Sequence, residues 1–96
     1  MQQRTVRITN RLGLHARAAA KLVRRAGQFN SAVELSREDT GQTADGKSIL
    51  GVLLLAATQG STITIRTEGP DEEGAASALI EMVEQKFGEE TPDGLV

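Results

Sequence analysis

The strongest constraint on the fold is an alternation of apolar and polar residues along three short stretches, 4–9, 32–36 and 61–67. Side chains two residues apart lie on the same face of a strand, so this period predicts three strands that each bury one face. A sheet with one buried face is typical of antiparallel strands covered on one side by helices. The residues predicted to face the core are Val6, Ile8, Val33, Leu35, Ile63 and Ile65.

The segments between these strands have helical spacing. A helix is predicted over 16–28, with Ala19, Leu22, Val23 and Ala26 on its apolar stripe. A final helix is predicted with Pro70 in its first turn and Gly88 at its end, with Ala76, Leu79, Ile80, Val83 and Phe87 on its buried face. A short return strand over 42–44 and a short helix over 48–54, capped by Ser48, complete an α+β order of βαββαβα.

Composition narrows the functional classes. A chain of 96 residues suits one domain, and the absence of cysteine excludes disulfides and thiolate sites. A net charge of −2 and only two aromatic residues argue against a nucleic-acid partner. No apolar run approaches the roughly 20 residues that cross a bilayer, and the first residues lack the apolar core of a signal peptide. We therefore expect a cytoplasmic protein with no membrane insertion.

The candidate site is built around His15, the only histidine. Gly13 allows a sharp bend before it, and the predicted helix begins directly after it. A helix N-terminus favours anions. The positive charge of Arg17 in the first turn is unfavourable with respect to the helix dipole, and a bound anion would explain its placement there. Neutral imidazole is also a nucleophile near pH 7. The alternative is that His15 is a surface cap, which is the commoner role of a lone histidine before a helix.

The sequence Gly-Leu-His-Ala-Arg followed by an alanine-rich helix resembles the phosphorylation motif of HPr, the phosphocarrier family of the bacterial phosphotransferase system. The resemblance covers about residues 3–88. It implies an open-faced β-sandwich, with a four-stranded antiparallel sheet and three helices on one face. It also implies a carrier rather than an enzyme. Phosphorylated enzyme I would phosphorylate Nδ1 of His15, Ala16 and Arg17 would bind the phosphate, and an enzyme IIA-type protein would accept it, without metal or cofactor.

A second motif lies at residues 41–48, Gly-Gln-Thr-Ala-Asp-Gly-Lys-Ser, which matches the P-loop pattern at every specified position. Its context differs from that of a P-loop, because a polar turn precedes it and only a short helix follows. The alternative function is thus a small nucleotide-binding or interaction domain that uses this loop. Resemblance to HPr instead makes Ser48 the matching position of a regulatory serine, phosphorylated by HPr kinase/phosphorylase. From chemistry alone, Ser48 is a helix cap.

The resemblance also assigns partner-binding positions on the two neighbouring helices: Ala20, Lys21, Arg24, Lys47, Ile49, Leu50 and Leu53. It predicts a monomeric domain over 1–88 and a flexible tail over 89–96. One departure is Ala18, where the family usually has proline. Lys47-Ser48-Ile49 favours a kinase-regulated HPr, whereas Asn-Arg-Leu-Gly before His15 and Phe87-Gly88-Glu89-Glu90 favour the nitrogen-related paralogue NPr, so the subclass stays open.

Overall fold

A computed structural model describes residues 1–89 of the chain. Its elements, in chain order, are β1 Gln2–Arg7, α1 Ala16–Ala26, β2 Ala32–Arg37, β3 Thr43–Asp45, α2 Ile49–Leu55, β4 Thr62–Glu68 and α3 Glu72–Glu84, followed by a 3-10 turn at Lys86–Gly88. The predicted order βαββαβα and the α+β class are confirmed. The tail predicted from Glu89 onward falls outside the described residues, apart from Glu89 itself.

The four strands form one antiparallel sheet in the order β1-β4-β2-β3. The central strand β4 pairs with both β1 and β2, and the short β3 pairs only with β2 at the edge. In this register Leu35 lies opposite Ile65, so their side chains share one face of the sheet. The helices cover that face, which gives the predicted open-faced sandwich.

The core lies between the sheet and the helices. All six strand residues predicted to face inward are buried, although Ile8 lies just beyond the end of β1. From α1, Ala19, Leu22 and Ala26 are buried and Val23 is partly buried against the core. Burying side chains of this size contributes about 1.5–3 kcal/mol for each large aliphatic residue, which makes this face the main source of stability.

The last helix is shorter than predicted. α3 ends at Glu84, whereas the apolar spacing predicted helix through Phe87. Lys86 and Phe87 both have positive φ, at 57° and 56°, so the helix cannot continue through them. Phe87 is nevertheless buried, and its carbonyl accepts a hydrogen bond from Nζ of Lys21 at 2.8 Å. The prediction of burial was right and that of helix was wrong. The first helix also ends earlier, at Ala26 rather than at residue 28.

Polar contacts fix both ends of α2. Oγ of Ser48 accepts the N–H of Gly51 at 3.1 Å, which confirms Ser48 as its N-cap. At the other end, Nη1 of Arg37 donates to the carbonyls of Leu55 at 2.9 Å and Ala56 at 3.1 Å. These carbonyls would otherwise lack helical partners. Within residues 1–89, no helix has the length and apolar character that a bilayer crossing requires.

Candidate functional site

A tight loop between β1 and α1 sets the direction in which the chain enters the site. Gly13 has φ of +65°, a conformation that favours glycine, and its N–H donates to the carbonyl of Asn10 at 3.1 Å. The next N–H, from Leu14, donates to the carbonyl of Ala57 at 2.9 Å. A Cβ at residue 13 would lie 2.5 Å from that same carbonyl oxygen. Glycine is therefore needed both for the turn and for this close approach.

His15 is the N-cap of α1. Its backbone is extended, and its Nδ1 accepts the N–H of Arg17 at 3.2 Å. Its carbonyl accepts the N–H of Ala19 at 2.8 Å, the first bond of the helix. Because Nδ1 accepts a hydrogen bond, this geometry assigns the ring proton to Nε2 and leaves the lone pair on Nδ1. The two interpretations of His15 are therefore compatible, since the capping atom is also the ring nitrogen that carries a lone pair rather than a proton.

The other ring nitrogen contacts an acidic residue that the sequence did not single out. Nε2 of His15 is hydrogen-bonded to Oε2 of Glu89. Oε1 of Glu89 accepts from Nδ2 of Asn10 at 2.9 Å, and the same Nδ2 donates to the carbonyl of Gly13 at 2.8 Å. Asn10 is fully buried, and the Glu89 side chain is only 11% exposed, against 26% for His15. The imidazole is thus held at both nitrogens.

Three further predicted residues, Ala16, Arg17 and Lys21, line the same cleft. Ala16 and Arg17 are exposed beside His15, and Lys21, half-buried, lines the cleft one turn further along α1. An anion arriving at Nδ1 would meet the first-turn N–H groups of α1 and the guanidinium of Arg17. The cleft therefore combines a nucleophilic nitrogen with donors suited to a phosphate.

The predicted partner-binding residues divide by exposure. Arg24 is exposed and Ala20 is half-buried on α1, which packs against α2. On α2, Ile49 and Leu50 are exposed, and Leu50 keeps 64% of its surface in solvent. Leu53 was expected to be exposed, but it is half-buried and packs against the core. Leu54 is exposed instead, with 65% of its surface in solvent.

The P-loop-like segment does not form a phosphate cradle. β3 lies inside the motif, and the backbone N–H groups that a P-loop turns toward phosphate are used within the chain. Those of Gly46, Lys47 and Ser48 donate to the carbonyl of Val33, the side chain of Asp45 and its carbonyl, respectively. Nζ of Lys47 donates to the carbonyl of Phe29 at 2.8 Å. The segment therefore matches the P-loop sequence pattern without having the geometry of a nucleotide site.

The fold and site define a class of small α+β domain in which a partly exposed histidine caps a helix beside cationic residues. A family model described as "PTS HPr component phosphorylation site" matches residues 2–85. The chain belongs to the HPr family of phosphocarrier proteins, which confirms the resemblance and supports a phosphoryl-carrier role in the phosphotransferase system.

Two relatives and two solved structures illustrate the similarity. The phosphocarrier protein HPr of Cupriavidus necator is 53% identical over 89 residues, 93% of this chain and 98% of that protein. HPr of Xylella fastidiosa is 47% identical over 91 residues, 95% of this chain and 100% of that protein. The crystal structure of HPr-C-His from Thermoanaerobacter tengcongensis has a TM-score of 0.88 at 40% identity, with 95% and 100% of the two chains covered. An HPr dimer from the same organism has a TM-score of 0.72 at 39% identity, with 93% and 100% covered.

Proposed function

We propose that His15 is the phosphorylated residue, and that it accepts a phosphoryl group on Nδ1 from phosphorylated enzyme I and passes it to an enzyme IIA-type acceptor. The observation that supports this most directly is the hydrogen bond from the Arg17 N–H to Nδ1. It keeps a lone pair on Nδ1 in the exposed cleft, at the end of the helix where an anion is stabilised.

The same N–H gives the transfer a simple sequence of contacts. Attack on phosphorus requires the Nδ1 lone pair, so the Arg17 N–H must leave it. The phosphate oxygens that arrive then offer this N–H and the Arg17 guanidinium new acceptors. Contacts of this kind contribute about 0.3–1 kcal/mol each at an exposed helix end. Binding of that strength suits a carrier that must release the group again.

We infer that partners dock over the two adjacent helices. The cationic residues of α1, namely Arg17, Lys21 and Arg24, would complement an acidic partner surface, and the exposed Ile49 and Leu50 of α2 would supply apolar contact. Ser48, at the N-terminus of α2, is proposed as a regulatory phosphorylation site for an HPr kinase/phosphorylase. The carrier is proposed to act in the cytoplasm as a monomer.

The test uses purified enzyme I, phosphoenolpyruvate and the full chain, and it measures acid-labile, base-stable phosphate. His15→Ala should abolish acceptance. The lost helix cap should lower the free energy of unfolding by about 0.5–2 kcal/mol, which leaves the domain folded under assay conditions. Arg17→Ala should slow transfer without stopping it. Arg7→Ala is the matched control, because Arg7 is an exposed cation of β1. Phosphate acceptance by the His15→Ala protein would refute the assignment, and equal loss in the two cleft variants would refute the separate roles.

A further inference from the structure

The most informative feature outside the phosphorylation motif is the contact between Glu89 and His15. The N–H of Arg17 binds Nδ1, and the carboxylate of Glu89 binds Nε2, from a residue 74 positions away in the chain. Asn10 fixes the carboxylate by donating to its second oxygen at 2.9 Å. At 11% exposure the carboxylate is largely shielded from water, so its charge acts on the ring with little screening.

The charge balance of phosphoryl transfer gives this contact a role. When Nδ1 attacks, a bond forms between Nδ1 and phosphorus, the bond from phosphorus to the donor atom that carried it breaks, and the electron pair of that bond leaves with the donor. The proton on Nε2 stays on the ring. The ring of His15 therefore gains a positive charge as the phosphoryl group arrives, and a carboxylate hydrogen-bonded to Nε2 stabilises that charge.

We propose that Glu89 is a positioning residue that neutralises the charge developing on His15 and keeps the proton on Nε2 during transfer. This inference rests on the proposed function. The charged residues that line the cleft within the described chain are Arg17, Lys21 and Glu89. The two cations stabilise the phosphate but oppose a positive ring. Among these three residues Glu89 carries the negative charge that stabilises a positively charged ring. The phosphate is therefore stabilised by the two cations and the imidazole by Glu89.

The variant that tests this is Glu89→Gln, which keeps one oxygen that can accept from Nε2 and removes the charge. Its amide N–H₂ also replaces the oxygen that accepts from Asn10, so thermal melts accompany the kinetics. The turnover of phosphoryl transfer from enzyme I should fall roughly tenfold, the ratio expected when a charge-assisted hydrogen bond becomes a neutral one, with KM for the carrier unchanged. Glu89→Asp, one methylene shorter, should recover part of the loss. The control is Glu84→Gln, which removes the same charge from an exposed site at the end of α3 and should transfer at the native rate.

A second readout separates charge compensation from a structural role. In the phosphorylated protein, the ³¹P resonance followed against pH reports loss of the Nε2 proton, which should occur at lower pH in Glu89→Gln than in the native protein. Native turnover and an unmoved ³¹P profile in that variant would overturn the inference while the carrier function stood. A drop in melting temperature that accounts for the slower transfer would overturn it too. Failure of the native protein to accept phosphate would instead refute the proposed function.

Discussion

Replacing Gly13 by alanine tests how far the loop before His15 depends on one missing side chain. With φ of +65°, a non-glycine residue costs about 1–2 kcal/mol. The new Cβ would also lie 2.5 Å from the carbonyl oxygen of Ala57 and 2.9 Å from Cα of Thr58. Both neighbours are backbone atoms that cannot rotate away. Relief requires breaking the hydrogen bond from Leu14 to Ala57, which costs about 1–3 kcal/mol.

Reduced freedom of the unfolded chain returns about 0.4–1 kcal/mol, so the free energy of unfolding should fall by about 1–5 kcal/mol, with a middle value of about 3 kcal/mol. For a domain of this size that middle value corresponds to a melting temperature lower by about 12–24 °C. Urea denaturation and thermal melts measure both quantities. Transfer from enzyme I, assayed well below the melting transition, should also slow, because the displaced loop carries His15.

Gly41→Ala provides the matched control. Gly41 has a similar φ of +75°, but a Cβ there would have open space around it among the described residues. Only the conformational cost applies, so the loss should be about 1 kcal/mol. If the two substitutions lowered stability equally, the clash with Ala57 would contribute nothing and the reasoning about the loop would be refuted.

Three further substitutions probe other parts of the molecule. Ser48→Asp should change the melting temperature little, because aspartate also caps a helix, but it should slow transfer to His15, because it puts a negative charge on the docking surface. Unchanged transfer kinetics would show that Ser48 serves only as the helix cap. Hydrogen bonds from Ser31 and from the N–H of Asn30 hold the pKa of Asp71 below its usual range. A carboxyl group whose pKa is lowered in the folded protein stabilises the fold above the ordinary carboxyl range, and this stability is lost as the pH falls through and below about 4. Asp71→Asn should therefore lower the free energy of unfolding, measured in urea, by less as the pH is reduced. A loss that does not change with pH would contradict this. Ala18→Pro should raise the free energy of unfolding by about 0.4–1 kcal/mol, because the Ala18 N–H is among the first-turn donors that have no partner within the helix. If chemical denaturation instead gave a free energy of unfolding more than about 1 kcal/mol lower, the proline ring would not fit at this position.

The parts of the fold that the sequence predicted well are those governed by a local repeat. Alternation identified the buried faces of β2 and β4 because the side-chain period of a strand is independent of its partners. Helical spacing failed at the end of α3, where Phe87 continues the apolar repeat but has positive φ. Its position depends partly on a bond from Lys21, 66 residues earlier, which no local pattern encodes.

The site shows the same division. His15 and Arg17 lie two residues apart, and their relation to a helix start was readable from Gly13 and the alanine-rich run. Glu89 was assigned to a tail, because a single carboxylate in a polar segment carries no signal of a contact 74 residues away. Leu53 and Leu54 were distinguished only by the packing of α2, since a short helix that is apolar nearly all round does not reveal which side faces the sheet.

The central position of β4 also determines when the sheet can form. β1 and β2 both pair with β4 and not with each other. Pairing of β1 with β4 therefore brings together residues that are far apart in the sequence, such as Gln2 and Thr67. Only the hairpin of β2 and β3 is local. Such long-range pairing requires large loops to close first, which is the main reason that sheets of this kind fold more slowly than helical bundles. During synthesis, β1 has no sheet partner until the ribosome has released the chain through Glu68. The helix that carries His15 is made early, but the sheet and the later helices with which it shares the core are completed late.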